Sequence, residues 1–321
     1  MTAIPEILII SDESYREDQS IELAKAILAK SGLVYEIDYI IEGDSEKRIK
    51  PASAEVKFEA QKKIIICCGL DTVNKATRLK SEDAGAFLVC IQDPSKKHEE
   101  FDLIVIPEHD FPPEMDNVVT TLGIINHVND RFLNYTLSLP EHAETKAKLE
   151  ALPNPRIAVL LGGKHIGGEF GVEDAKNLAT KLDEMVKELG GSLMITTSRR
   201  TESEPIEEFK KHITVPHEFY DYNYDGQDLN PYNIMLALSD AEVITADSVR
   251  MCSEAASTGK PTIICIPEQV FFPYGNMARI LAKNDCARIF ADITMPNDLL
   301  KPTVTLNEAE KIAKIILQKM A

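Results

Sequence analysis

Nowhere in the 321 residues does an uninterrupted apolar stretch approach the roughly 18 that a membrane-spanning helix needs. An integral membrane protein is therefore not expected, and membrane contact is at most peripheral. Positive charge is also scarce: 35 Lys and Arg stand against 52 Asp and Glu, a net charge of −17. Such a field repels phosphate backbones and leaves no basic footprint for nucleic acid. The one basic stretch, Lys47 to Lys63, is broken by Glu55 and Glu59 and reads as a solvated face. The start, MTAIPEILIISDES, lacks the basic opening, long apolar core and small-residue cleavage site of a secretory signal. It reads instead as a first strand, and a cytoplasmic location is expected. Cysteine is sparse and never spaced as CxxC; Cys67, Cys68, Cys90, Cys252, Cys265 and Cys286 sit mostly in apolar runs such as IIICC and TIICIP. They read as reduced core positions. Adjacent Cys67 and Cys68 would face opposite sides of a strand, so no metal site is expected.

What is present is a regular alternation. At about 100 to 200 residues per domain, this length suggests two domains. In the first half, EILII, LVYEIDYII, KKIIICC, AFLVCIQ, FDLIVIP and NVVTTLG alternate with helical patterns. Several of these runs are apolar throughout, as expected of parallel strands covered on both faces. Between Asn126 and Pro155 the pattern turns polar, and LPNPR breaks it. The second half restarts at RIAVLLGG. An amphipathic helix follows from Val172 to Leu189, with Ala175, Leu178, Leu182, Met185 and Val186 on one face and Gly190 as its stop. Further βα cycles run through SLMITTS, EFYDYN, EVITAD, TIICIP and RIFAD. The expected organisation is an α/β protein of two successive βα arrays, the first a doubly wound sheet. The first spans 1–135, a linker 136–155, the second 156–300, and a closing helix over 301–321 packs back toward the first.

In open α/β sheets, ligands bind beyond the carboxyl ends of the strands, so residues that end a strand and open a helix carry the information. In LLGGKHIGGEFG, Gly162 and Gly163 would let backbone amides approach an anion, and Lys164 suits a diphosphate. The loop contains neither GxGxxG nor GxxxxGK[ST], and a tight turn would explain it equally well. In TTSRRT, Thr197, Ser198, Arg199 and Arg200 can clamp phosphate oxygens or a carboxylate. In DGQDLNPYNIML, Asn230 caps a helix and Tyr232 lies where it can line a pocket; capping alone would also account for this segment. In TADSVRMCSEAASTGKP, Asp247 and Ser248 open a helix whose free N–H groups favour anions. Further along it, Glu254 can either accept two hydrogen bonds from vicinal hydroxyls or pair with Arg250 four residues back. In the first half, Glu108, His109 and Asp110 follow a strand, and a histidine flanked by carboxylates has the chemistry of a general base. A histidine in that position is more often structural.

The motifs QDP, IPEHD, NVVTTLG, LLGG, TTSRRT, NPY and TADSVRMCSEAASTGKP together resemble the mitochondrial fission (elongated-mitochondria) protein family, whose bacterial members are taken as GT-B glycosyltransferases. The last motif is also similar to the nucleotide-sugar segment of the peptidoglycan lipid-linked N-acetylglucosaminyltransferase. The resemblance implies a GT-B arrangement of two Rossmann-like, doubly wound domains facing a cleft. A nucleotide-sugar donor would lie in the second domain, with Ser248 on phosphate and Glu254 on ribose, and an unidentified acceptor, by fold analogy a cell-envelope or lipid-linked one, in the first. It implies no metal and no cofactor, the nucleotide sugar being substrate. Lys164, Arg199 or Arg200 would offset leaving-group charge, and His109 or a neighbouring carboxylate would deprotonate the acceptor hydroxyl. Two segments depart from the family pattern. SDESYREDQS keeps Asp12 and Gln19 but has neither the usual glycine nor histidine, and GLDT stands where GRRT is usual. Both fall in the acceptor half. Sugar transfer is thus the leading expectation. A non-catalytic scaffold, or a nucleotide-sugar epimerase on the same architecture, is the alternative.

Overall fold

A computed structural model of the protein describes residues 6–10, 17–30, 35–38, 46–51, 63–164, 168–222 and 230–320. Asp12, most of the 47–63 stretch, the 165–167 part of the glycine-rich loop and residues 225–229 lie outside the described residues. The chain forms two compact units, Met1–His127 with Asn307–Ala321, and Val128–Leu306. Among the described residues no helix is long and apolar enough to cross a membrane.

The first unit is built on a seven-stranded sheet of β1 (Glu6–Ile10), β2 (Tyr35–Asp38), β3 (Glu46–Pro51), β4 (Lys63–Cys68), β5 (Phe87–Ile91), β6 (Leu103–Pro107) and β7 (Val118–Thr121), in the order β2-β3-β1-β4-β5-β6-β7. From β1 to β7 all pairs are parallel. One face carries Ile7, Ile9, Ile64, Ile66, Val89 and Val105 against α1 (Glu17–Ala29) and the last helix, α10 (Glu308–Met320). The other carries Ile10, Ile65, Leu88, Ile104 and Ile106 against α2 (Leu70–Glu82). Helices on both faces explain why these strands read as continuous apolar runs. Cys68 joins the first face and Cys67 the second, as strand alternation requires. The departure from an all-parallel sheet is β3, antiparallel to both β1 and β2. Its charge-rich EKRIKP has no apolar run to mark it as a strand.

The last helix belongs to the first unit. Ile312, Ala313 and Ile316 pack beside Ile21, Ala24, Ile27 and Leu28 of α1. At its start, Glu308 Oε1 accepts the Leu122 N–H at 2.9 Å, and Lys311 Nζ donates to the Thr120 carbonyl at 3.0 Å. Burial pushes the Glu308 carboxyl above its ordinary value.

The second unit begins before the polar stretch 136–155, because that stretch folds. α3 (Asp130–Ser138) is capped by Asn129, whose Oδ1 accepts the Phe132 N–H, and α4 (Ala143–Glu150) follows. Both pack on α7 (Tyr232–Leu238). The sheet contains β8 (Arg156–Leu161), β9 (Ser192–Thr197), β10 (His217–Tyr220), β11 (Ala241–Thr245), β12 (Thr262–Cys265) and β13 (Arg288–Ile289), all parallel, in the order β10-β9-β8-β11-β12-β13. Counted from its own first strand this is the 3-2-1-4-5-6 order of the Rossmann fold. α5 (Val172–Leu189) covers one face through Leu178, Leu182 and Val186 on Ile157, Val159 and Ile195. Ile234 and Met235 of α7 cover the other, on Ala158 and Met194. α5 stops at Gly190, whose φ of 67° is left-handed and easy only for glycine. α6 (Ser203–Lys211), α8 (Val249–Ala256) and α9 (Phe272–Lys283) complete the unit.

Candidate functional site

In the second unit the strand order reverses between β8 and β11. Loops leaving these two strands run to opposite sides, and the crevice between them at the carboxyl end is where such sheets bind ligands. Hydrogen bonds bring Gly162, Gly163, Lys164, Ser198, Arg200 and Asp247 together at this point, while Asn230, Tyr232 and Glu254 form a set of their own.

The glycine-rich loop leaves β8 into a closed set of hydrogen bonds. The Gly162 N–H donates to Thr245 Oγ1 at 2.7 Å, the Gly163 N–H to Asp247 Oδ2 at 2.9 Å, and the Lys164 N–H to the Arg200 carbonyl at 3.0 Å. All three amides are thus used inside the protein. The glycines are needed for the same reason. A Cβ at 162 would lie 2.0 Å from both Asp247 carboxyl oxygens, and one at 163 would lie 2.0 Å from the Arg200 carbonyl oxygen. The Thr201 hydroxyl, at the far end of TTSRRT, donates to the Gly162 carbonyl at 2.5 Å and accepts the Ser198 N–H at 2.9 Å. Ser198 Oγ in turn accepts the Arg200 N–H at 3.2 Å. Thr201 and Thr245, which the sequence did not single out as site residues, therefore hold the two loops together.

Three cations border this point. Lys164 and Arg199 are exposed, and Arg200 is about a quarter exposed. Lys164 Nζ lies 3.6 Å from Glu169 and 3.5 Å from Glu202, long surface contacts of little energetic weight. Arg200 Nη2 donates to Asp247 Oδ2 at 3.5 Å. Asp247 itself is 3% exposed, and its other oxygen, Oδ1, is buried without a hydrogen-bond partner. Burial raises its carboxyl above the ordinary range, against the opposing pull of Thr245, the Gly163 amide and Arg200.

The neighbouring helix starts at Ser248, whose Oγ accepts the Met251 N–H at 3.4 Å. Glu254 is 3% exposed and already holds two protein donors: the Tyr232 hydroxyl at 2.7 Å on Oε2 and Arg250 Nε at 2.7 Å on Oε1. The pairing with Arg250 is the i,i+4 alternative; the tie to Tyr232 comes from another helix. Burial, and next the adjacent Glu254 charge, hold the Tyr232 phenol well above its ordinary value, so it remains a donor. Asn230 Oδ1 accepts the Tyr232 N–H at 3.0 Å, with Pro231 rather than Asn230 at the cap position. Thr197 Oγ1 accepts the Tyr222 N–H at 2.9 Å and ties the ends of β9 and β10.

The three residues marked as acid–base candidates lie in the first unit, on a single 3-10 turn after β6. His109 is 2% exposed, with Nε2 at 3.7 Å from Asp110 Oδ1, beyond hydrogen-bond reach, and a buried, unpartnered Nδ1. Burial lowers its pKa against the pull of Asp110, leaving a neutral ring. Glu108 and Asp110 are exposed. A better oriented histidine, not foreseen, is His98, whose Nε2 lies 2.9 Å from Asp93 Oδ1; its only signal in the sequence was the nearby QDP.

The family described as mitochondrial fission ELM1 matches residues 16–320. The chain is 31% identical over 252 residues to the mitochondrial fission protein ELM1 of Arabidopsis thaliana, an alignment covering 71% of this chain and 57% of that protein. It therefore spans little more than half of that relative's length. It is 28% identical over 287 residues to an uncharacterized protein of Rickettsia prowazekii, covering 79% of this chain and 78% of the other. Among solved structures, MurG of Acinetobacter baumannii aligns with 97% of this chain and 99% of its own at a TM-score of 0.47 and 11% identity. UDP-GlcNAc 2-epimerase of Neisseria meningitidis, bound to UDP-GlcNAc, aligns with 96% of this chain and 82% of its own at 0.42 and 13%.

Proposed function

This chain belongs to the mitochondrial fission ELM1 family, and from that membership and the site geometry we propose that its second unit binds a nucleoside diphosphate sugar, which the protein transfers to an acceptor hydroxyl. The observation that carries this reading is the reversal of strand order between β8 and β11, with Arg199, Arg200, Lys164 and the start of α8 on its carboxyl side. Because the Gly162 and Lys164 amides are occupied by Thr245 and the Arg200 carbonyl, the diphosphate would be held mainly by side chains and by the N-terminus of α8. The guanidinium groups supply charge that stays positive at all relevant pH and offset the charge of the departing nucleotide. Glu254 would accept ribose hydroxyls after yielding the Tyr232 or Arg250 contact.

A second reading, a scaffold without catalysis, is favoured by one observation: the loop amides and Glu254 are satisfied within the protein and need no ligand. A thermal-shift panel of UDP, GDP, ADP, CMP and TDP, with and without magnesium, separates the two. A nucleotide at about 100 times its Kd stabilises the fold by roughly 2.7 kcal/mol. The transferase reading expects one nucleotide to act selectively without magnesium and to lose its effect in Arg199→Ala/Arg200→Ala. No shift with any nucleotide leaves the scaffold.

A further inference from the structure

The anion-binding donors at the β8/β11 reversal already hold an anion, and it is the protein's own. The Gly163 amide and the Arg200 guanidinium converge on one atom, Asp247 Oδ2, at 2.9 and 3.5 Å. The carboxyl group lies so close over Gly162 that a Cβ there would touch both of its oxygens. A backbone amide and an arginine meeting at a single oxyanion is the arrangement with which proteins hold a phosphate oxygen. As an ionised structural residue Asp247 is poorly served. It is 3% exposed, and Oδ1 has no hydrogen-bond partner, whereas a carboxylate buried for stability alone is expected to have both oxygens paired.

We infer that Asp247 is a built-in competitor for the phosphate site: its carboxylate holds the Gly163 amide and the Arg200 guanidinium in the free protein, and a phosphate-bearing ligand binds by displacing or neutralising it. This rests on the reading of the second unit as a nucleoside diphosphate site. It adds that ligand affinity is set by exchange of one anion for another, so that affinity rises as Asp247 takes up a proton. Burial favours that proton. The other groups facing Asp247 do not titrate over the same range. Arg200 stays charged. The Cys265 thiol at the end of β12 is pushed up to about 12 by burial, and the Cys252 thiol of α8 is pushed still higher.

The test is calorimetric binding of inorganic pyrophosphate and of UDP to the full chain at pH 5.5 and pH 8, for wild type, Asp247→Asn and Arg200→Ala. Asparagine keeps the shape and an acceptor for the Gly163 amide while removing the charge, and thermal unfolding checks that the variant is intact. Should it unfold, Asp247→Ser carries the same expectation. The inference expects Asp247→Asn to bind pyrophosphate at least about tenfold tighter than wild type at pH 8, as removal of a like charge at contact distance requires. It also expects the gap between wild type and Asp247→Asn to be narrower at pH 5.5 than at pH 8, and Arg200→Ala to weaken binding at both. Wild-type binding with Asp247→Asn equal or weaker would overturn it, showing Asp247 to be an orienter of Arg200 while leaving the nucleotide site standing. Failure of every protein to bind either probe would overturn the inference and the nucleotide reading together.

Discussion

At the end of β11 away from the site, Glu242 is fully buried, and replacing it by glutamine should make the protein more stable as pH rises. Its oxygens lie 3.2 Å from Ser239 Oγ and 3.1 Å from Thr258 Oγ1. Each hydroxyl also lies within reach of a backbone carbonyl, Leu236 at 3.1 Å and Ala255 at 2.8 Å, to which it can give its single proton. Each hydroxyl has one proton to divide between the carboxyl oxygen and that carbonyl, so neither gives a carboxylate a full-strength hydrogen bond. Burial raises the Glu242 pKa from 4.5 to about 8, even though Lys260 and the two hydroxyls pull the other way. Folding therefore favours the acid form, so its contribution to stability is fully present below pH 4.5 and is lost as pH climbs through about 8. At about 1.4 kcal/mol per tenfold change in proton affinity, the loss is on the order of 1 kcal/mol at pH 5, 3 at pH 7 and 5 at pH 9. Glutamine matches the neutral shape and does not titrate. Urea unfolding of wild type and Glu242→Gln at these three pH values should show a gap that opens by about 4 kcal/mol in favour of the variant. A gap that stays constant from pH 5 to pH 9 would refute the reasoning.

Two further changes test other parts of the structure. Asp183 of α5 accepts the Thr214 N–H at 2.6 Å, the Val215 N–H at 2.9 Å and the Thr214 hydroxyl at 2.7 Å. Burial opposes its charge, but these donors win and hold its carboxyl below the ordinary value. Asp183→Ala should cost about 2–4 kcal/mol by stranding those donors, and Asp183→Asn should flatten the loss of stability as pH falls below about 4 in an acid-denaturation series. Gly162→Ala drives a Cβ into the Asp247 carboxyl and should lower stability by about 2–3 kcal/mol. Adding Asp247→Ala should recover part of that in the melting temperature, and additive losses would argue against direct contact.

The elements that could be read from the sequence are those whose burial is periodic. α5 runs over the expected 172–189 because its apolar residues recur on one stripe for five turns and a glycine then permits the left-handed stop. α3 went unseen because only Leu133 and Thr136 of its nine residues are buried, too little to leave a period. β3 went unseen because its pairing is decided by β1 and β2 rather than by its own composition. The same distinction governs the site. Arg250 with Glu254 is a local pairing and was foreseen. Tyr232 with Glu254 joins two helices and could not be. Glycines at 162 and 163 were visible, but where their amides point depends on Thr245 and Asp247, more than eighty residues away. A histidine between carboxylates was visible, but its 2% exposure was not.

The return of α10 to the first unit sets an order of events during synthesis. Residues 307–320 leave the ribosome only after the whole of Val128–Leu306, a delay on the order of ten seconds or more at usual elongation rates. Until then Ile21, Ala24, Ile27 and Leu28 of α1 lack the apolar cover that Ile312, Ala313 and Ile316 later provide. The unit whose translation begins first is thus the one that finishes last, and the second unit can complete its sheet while the first still presents an open greasy seam. Chaperone attention in the nascent state should fall on α1, and substitutions in the last thirteen helical residues should act as folding defects of a unit most of which was made long before them.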